Sequence, residues 1–166
     1  REEGALMSKV TTLMSKVRSG NLRMKLDDRL ALAADPNTAL EILESLARAP
    51  NILVRQSVAL NSSTTTEILK RLADDPDPTV RLNVVQNPHT PPGTLEQLAD
   101  DPDAFVRLTV AISPNAPLNT IRFLTADRDG SVRGAASANL AARTTVVSPP
   151  PFIAVFERNK RKVQLE

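Results

Sequence analysis

The stretch Val80-Arg-Leu-Asn-Val-Val-Gln-Asn-Pro-His-Thr-Pro-Pro-Gly-Thr-Leu-Glu-Gln-Leu-Ala-Asp-Asp-Pro-Asp-Ala-Phe-Val106-Arg107 decides the fold, because it opens and closes on the same dipeptide 26 residues apart. The step continues in both directions, with Val54-Arg55 before it, Val132-Arg133 after it, and Arg29 one further step back. Four units follow, 29–54, 55–80, 81–106 and 107–132. Stacked in register, they keep apolar columns: Leu43, Leu69, Leu95 and Ile121; Leu46, Leu72, Leu98 and Leu124; Leu32, Val58, Val84, Val110 and Ala136. Columns that stay apolar while their neighbours vary are what a core shared between stacked units requires.

Each unit reads as two short helices joined by turns. Thr38, Thr64 and Thr90 stand where the first helix begins, with Ala116 as the exception, and a hydroxyl there can accept a first-turn amide. Glu41 and Glu67 follow three residues after Thr38 and Thr64, the spacing of a reciprocal capping box. Asn51, Asp77, Asp103 and Asp129 start the second helix, and Pro78 suits its first helical position. Val80, Val84 and Val85 give that helix one apolar stripe against the first. Asp35-Pro36, Asn87-Pro88 and Ser113-Pro114 end it, since proline pushes the preceding residue out of helical dihedrals and brings no amide donor. Most of the 13 prolines thereby mark helix ends rather than a linker. Helices this short do not persist alone, so stability must come from stacking.

The run from Asn87 to Arg107, with its neighbours, closely resembles the bacterial leucine-rich repeat variant family, over about residues 29–140. The resemblance implies an all-α, right-handed α-solenoid of about four to five two-helix repeats, in which α-helices and 3₁₀-helices alternate in two layers. The residues themselves do not say which helix is 3₁₀. Some members of that family carry a cysteine-ligated iron–sulfur cluster, from which this chain departs outright, having no Cys. The family is similar in plan to HEAT-type repeats, so the resemblance implies an interaction surface rather than a reaction.

Composition agrees with one repeat array. The chain has 166 residues, 41% hydrophobic and 24% charged, near the globular average. With no Cys, no Trp, no Tyr and one His, disulfides, thiolate metal sites and cysteine catalysis are excluded. No window approaches a membrane span and the first residues lack a secretory apolar block, which points to a cytoplasmic protein with no membrane partner. The chain opens on Arg1, with Met7 a candidate start. The net charge of +2 is unevenly spread: +2 over residues 1–28, −4 over 29–132 and +4 over 133–166.

Three segments follow: an N-terminal amphipathic capping helix (1–28), the array (29–140) and a C-terminal capping segment (141–166). Leu6, Val10, Leu13 and Val17 form an a/d-like stripe suited to covering the first unit's core. Self-association is the other use, but two heptads fall short of a coiled coil. A fifth unit starts at Arg133 and loses the pattern after Asn139. Beyond the Pro149–Pro151 run, Phe152 to Lys162 reads as a final helix, with Phe152, Ile153 and Phe156 packing inward and Arg158, Lys160, Arg161 and Lys162 left toward solvent.

Little in the chain carries chemistry. The Arg29, Arg55, Arg81, Arg107 and Arg133 column could track phosphates, yet Asp74-Asp75 and Asp100-Asp101 recur just upstream of Arg81 and Arg107. Ion pairing between units, as a ladder along the solenoid, is the stronger reading. The Asp-Asp-Pro-Asp runs at 74–77 and 100–103 lack the glycine and distal Glu of a calcium loop, and serve as turns and caps. His89 sits in a turn, no G-x-S-x-G surrounds any serine, and no glycine-rich phosphate loop exists. We therefore expect a protein that is not an enzyme, with no cofactor and no metal: a protein- or peptide-binding scaffold. The alternative is nucleic-acid association through the basic C-terminal helix, where Arg158, Lys160, Arg161 and Lys162 are the candidate contacts.

Overall fold

The computed structural model describes residues 24–145. Among them the chain forms helices and no strands. In order these are α1 (Leu26–Ala34), α2 (Leu40–Leu46), α3 (Ile52–Leu60), α4 (Thr66–Leu72), α5 (Pro78–Gln86), α6 (Pro92–Leu98), α7 (Ala104–Ile112), α8 (Leu118–Leu124) and α9 (Gly130–Thr145). Long and short helices alternate. α1, α3, α5 and α7 have nine residues each, α9 has 16, and the even-numbered helices have seven.

The long helices stack directly on one another, α1 on α3, α3 on α5, α5 on α7 and α7 on α9. The short helices pack on the long ones, α4 lying against both α3 and α5, and α8 reaching α7 while α9 packs on it. Two layers result, an all-α repeat solenoid whose core is the seam between them. Leu43, Leu69, Leu95 and Ile121 are wholly buried, as are Val54, Val80, Val106 and Val132, and the Val58, Val84 and Val110 column. Each aligned column closes the joint between successive units, so apolar burial propagates along the stack instead of around a single centre.

The starts of the long helices follow the sequence. The side chains of Asn51, Asp77, Asp103 and Asp129 accept the backbone N–H groups of Leu53, Thr79, Phe105 and Ser131, respectively. Pro78 occupies the first turn of α5, and Asp35, Asn87 and Ser113 are C-caps immediately before proline. α9 continues past Asn139 because no proline follows it and Leu140-Ala141-Ala142-Arg143 are strong helix formers.

The short helices differ from expectation in two ways. Their bodies are α-helical, and 3₁₀-type bonds occur at their ends, most regularly in the turn that closes them: the Asp74 and Asp75 amides donate to the carbonyls of Arg71 and Leu72, and those of Asp100 and Asp101 to Gln97 and Leu98. Tightening to i→i−3 bonds satisfies the last carbonyls before the chain turns back. The threonines also act in the reverse direction. α2 and α4 begin at Leu40 and Thr66, after N-caps Ala39 and Thr65 that make no side-chain cap bond, so the Thr38/Glu41 and Thr64/Glu67 capping boxes do not form. Thr38 Oγ1 instead donates to the Leu32 carbonyl at 2.7 Å and Thr64 Oγ1 to that of Val58 at 2.6 Å, and Thr90 repeats this on Val84. These hydroxyls are buried over the end of the preceding helix, where last-turn carbonyls have lone pairs to fill and the Val58 and Val84 carbonyls take the threonine as a second donor beside the C-cap amide.

Candidate partner-binding surface

Two polar ladders run along the edges of the long-helix layer. At the N-terminal edge, Arg55 donates Nε and Nη2 to Asp75 at 2.6 and 3.0 Å. Arg81 makes the same bidentate contact with Asp101 at 2.7 and 2.8 Å, and Arg107 with Asp127 at 2.8 and 3.0 Å. Each Nη1 turns back to the carbonyls of the preceding turn, as Arg81 does to Asp75 at 2.8 Å. The expected ladder between units exists, but each arginine takes the carboxylate 20 residues ahead and only the backbone carbonyl six residues behind, which belongs to Ala49 for Arg55 and to the upstream aspartate for Arg81 and Arg107. The geometry explains the choice: each Asp75-type carboxylate also accepts the amide two residues on, which fixes it in the turn facing the earlier unit's arginine. Hydrogen bonds from Arg107, with the Asp129 amide and the nearby positive charge also contributing, hold the Asp127 carboxyl below the usual carboxylate range. The Arg55, Arg81 and Arg107 guanidinium groups are raised in turn by their aspartates. Arginines committed in this way are not a phosphate track.

At the opposite edge runs a buried asparagine ladder that the sequence reading missed. Asn61 Nδ2 donates to the Ala33 and Asp35 carbonyls at 2.8 and 2.9 Å, and Asn87 to those of Ala59 and Asn61 at 2.7 and 3.0 Å. Asn139 reaches Ala111 and Ser113 at 2.8 and 3.4 Å. The signal was available: Asn61, Asn87 and Asn139 obey the 26-residue step, with Ser113 breaking it between them and Asp35 standing one step before Asn61.

Between the ladders lies the outward face of the long helices. α3 turns Ile52, Leu53, Gln56, Ser57 and Leu60 to this side, and α5 turns Pro78, Thr79, Leu82, Asn83 and Gln86. α7 adds Ala104, Phe105, Leu108, Thr109 and Ile112, and α9 Gly130, Ser131, Gly134, Ala135 and Ala138. The five positions of each helix cover one continuous arc at 3.6 residues per turn. Not one of them is Asp, Glu, Lys or Arg, in a chain that is 24% charged. Leu53 is 52% exposed, Leu60 50%, Ile112 61% and Phe105 71%. Ile112 stands between two grooves, one of about 300 Å³ beside Val85, Pro88 and Ser113, and one of about 420 Å³ beside Ala135, Ala138 and Ala142. The short-helix face contrasts, exposing Glu41, Glu44, Arg48, Glu67, Lys70, Asp74, Glu96, Asp100 and Arg122.

The remaining expectations are quickly placed. His89 is exposed in its turn, where its amide donates to Asn87. Among the described residues no group of three His, Asp or Glu side chains is arranged to hold a metal ion, and no helix is long and apolar enough to cross a membrane. Arg158, Lys160, Arg161 and Lys162 lie outside the described residues, as do the Leu6–Val17 stripe and Phe152, Ile153 and Phe156.

Comparison with curated proteins and with solved structures gave no match. One family model matches, that of the leucine rich repeat variant, over residues 78–103. That span is one full period, from the first residue of α5 to the N-cap of α7, and it holds the Arg81, Asn87 and Asp101 ladder positions. The caps, ladders and seams described above recur around it at the same step, and the chain thus carries a repeat of the leucine rich repeat variant family at its centre.

Proposed function

We propose that the protein is a non-catalytic scaffold that binds a protein or peptide partner on the outward face of α3, α5, α7 and α9. The observation that carries this reading is the uncharged arc with Leu53, Leu60, Phe105 and Ile112 exposed on it. A face freed of charge over four successive helices needs a partner whose contacting side is also apolar, because a charged group laid against it would lose its water without gaining a counter-ion. An exposed Phe, and an exposed Ile flanked by grooves, are the kind of anchor on which interface energy concentrates. The array is acidic overall, which does not favour a nucleic-acid backbone on this surface.

Site-specific photo-crosslinking in extract of the source cells tests the reading. A benzophenone side chain placed at Leu53 or Phe105 should capture one defined protein, and the same group at Glu67 or Lys70 on the short-helix face should not. Capture should disappear when Ile112→Asp is added. Equal capture from both faces, or capture that survives Ile112→Asp, would overturn it.

A further inference from the structure

One groove stands apart from the uncharged face. It lies between α6 and α8 on the short-helix side, has a volume of about 390 Å³, and is lined by Glu96, Ala99, Asp100, Asn119, Thr120 and Phe123. Two carboxylates one helical turn apart face an aromatic ring that is 59% exposed. Thr120 is 5% exposed, and its hydroxyl oxygen is buried with no hydrogen-bond partner. A buried hydroxyl left unpaired is costly, so a rotation of Thr120 that brings it to a ligand donor in the groove is favourable.

The repeat supplies its own controls. Two units earlier, at the joint between α2 and α4, the Glu96, Asp100 and Phe123 positions hold Glu44, Arg48 and Arg71. There the guanidinium is internal, with Arg71 Nη2 donating to the Glu44 carbonyl at 3.4 Å. At the joint between α4 and α6 the same positions hold Lys70, Asp74 and Gln97, and the Gln97 amide donates to Asp74 at 2.7 Å. Of these three joints, that between α6 and α8 alone combines two carboxylates with an aromatic ring and no lining cation.

We propose that this groove is a binding site for the guanidinium of an arginine side chain presented by a partner peptide. The plane of the guanidinium lies on the Phe123 ring, its N–H groups donate to Glu96 and Asp100, and one of them donates to the Thr120 hydroxyl once that buried side chain has rotated toward the groove. The chemistry selects arginine over lysine, because a flat, weakly hydrated cation stacks on a ring while keeping several donors in plane. The site does not depend on the partner-binding role of the long-helix face, and either can fail without the other.

The test is a nuclear magnetic resonance titration of the full chain with the peptide Gly-Ser-Arg-Ser-Gly at low salt. Four Phe and no Trp or Tyr make the Phe123 ring signal easy to assign. Saturable shifts are expected at the Phe123 ring and at the Asn119 and Thr120 amides. Affinity should fall at least about fivefold in Glu96→Gln, Asp100→Asn and Phe123→Leu, each an exposed site whose substitution leaves the fold in place. The citrulline peptide should give no shift and the lysine peptide a weaker one. Three outcomes would overturn the assignment: equal response to arginine and citrulline, binding unchanged in all three variants, or shifts spread evenly along the acidic ladder edge.

Discussion

The two outward faces of this molecule rest on the same buried seams and have opposite surface chemistry. Unit after unit, the inward positions of long and short helices hold Val, Leu and Ile. Outside, the short helices carry Glu, Lys, Asp and Arg, while the five outward positions on each of α3, α5 and α7, and their equivalents on α9, carry none. The repeat therefore constrains the inside and the edges, where each unit must fit the next, and leaves the outer positions free to diverge. That charge is absent from one whole face is then information about use rather than about folding.

The largest effects should come from the edges and the seam on which both faces stand. Arg107→Ala strands the Asp127 carboxylate, whose side chain is 5% exposed, and should cost about 3–5 kcal/mol in chemical denaturation. The pair also sets a pH dependence. Because the Asp127 pKa is depressed in the folded state, its contribution is complete above the unfolded value of about 4 and is lost as pH falls through the folded one. Asp127→Asn should flatten that part of the acid limb, which a pH series of denaturation midpoints would measure. Leu98→Ala, at a site 1% exposed, should cost about 2–5 kcal/mol. Either substitution should loosen both faces together, and a loss confined to one face would break the picture of a shared seam.

Next in size are changes to the asparagine ladder. Asn87→Ala removes two donors from buried carbonyls and should cost about 1–3 kcal/mol. Ser113→Asn restores the missing rung beside a groove with room for the longer side chain, and should stabilise by about 0.5–1.5 kcal/mol. Thermal melts of the two variants would check both signs.

These edges also show how far the sequence could be read. The period, the apolar columns, the N-caps at Asn51, Asp77, Asp103 and Asp129 and the proline stops were legible, because each depends on residue type at a fixed spacing along the chain. The reach of a side chain across a joint was not. Periodicity shows that Arg81 and Asp101 recur, but it is equally consistent with Arg81 pairing to Asp75, and the turn decides. Thr64 likewise looks like a forward cap until its burial beneath the end of α3 makes it a donor to Val58. The asparagine column could have been read from its spacing, yet an amide in a turn is ordinarily explained by the turn itself. The uncharged face was present in the residues at 52, 53, 56, 57 and 60 and their equivalents. It emerges only when those positions are known to share one side of four stacked helices.

The smallest stability effect should accompany the largest functional one. Phe105→Ser and Leu53→Ser alter side chains that are more than half exposed and should shift unfolding by no more than about 0.5 kcal/mol. The same substitutions should weaken partner binding at least about tenfold, since a buried aromatic anchor commonly contributes more than 1 kcal/mol to an interface. Glu67→Ser on the charged face is the matched control, expected to change neither quantity appreciably. The pair of measurements separates two explanations for an apolar surface. If Phe105→Ser lowered stability by the 3–5 kcal/mol typical of a core aromatic, the ring would be packing within the fold. If affinity alone responded, the face would be kept free of charge for what it meets.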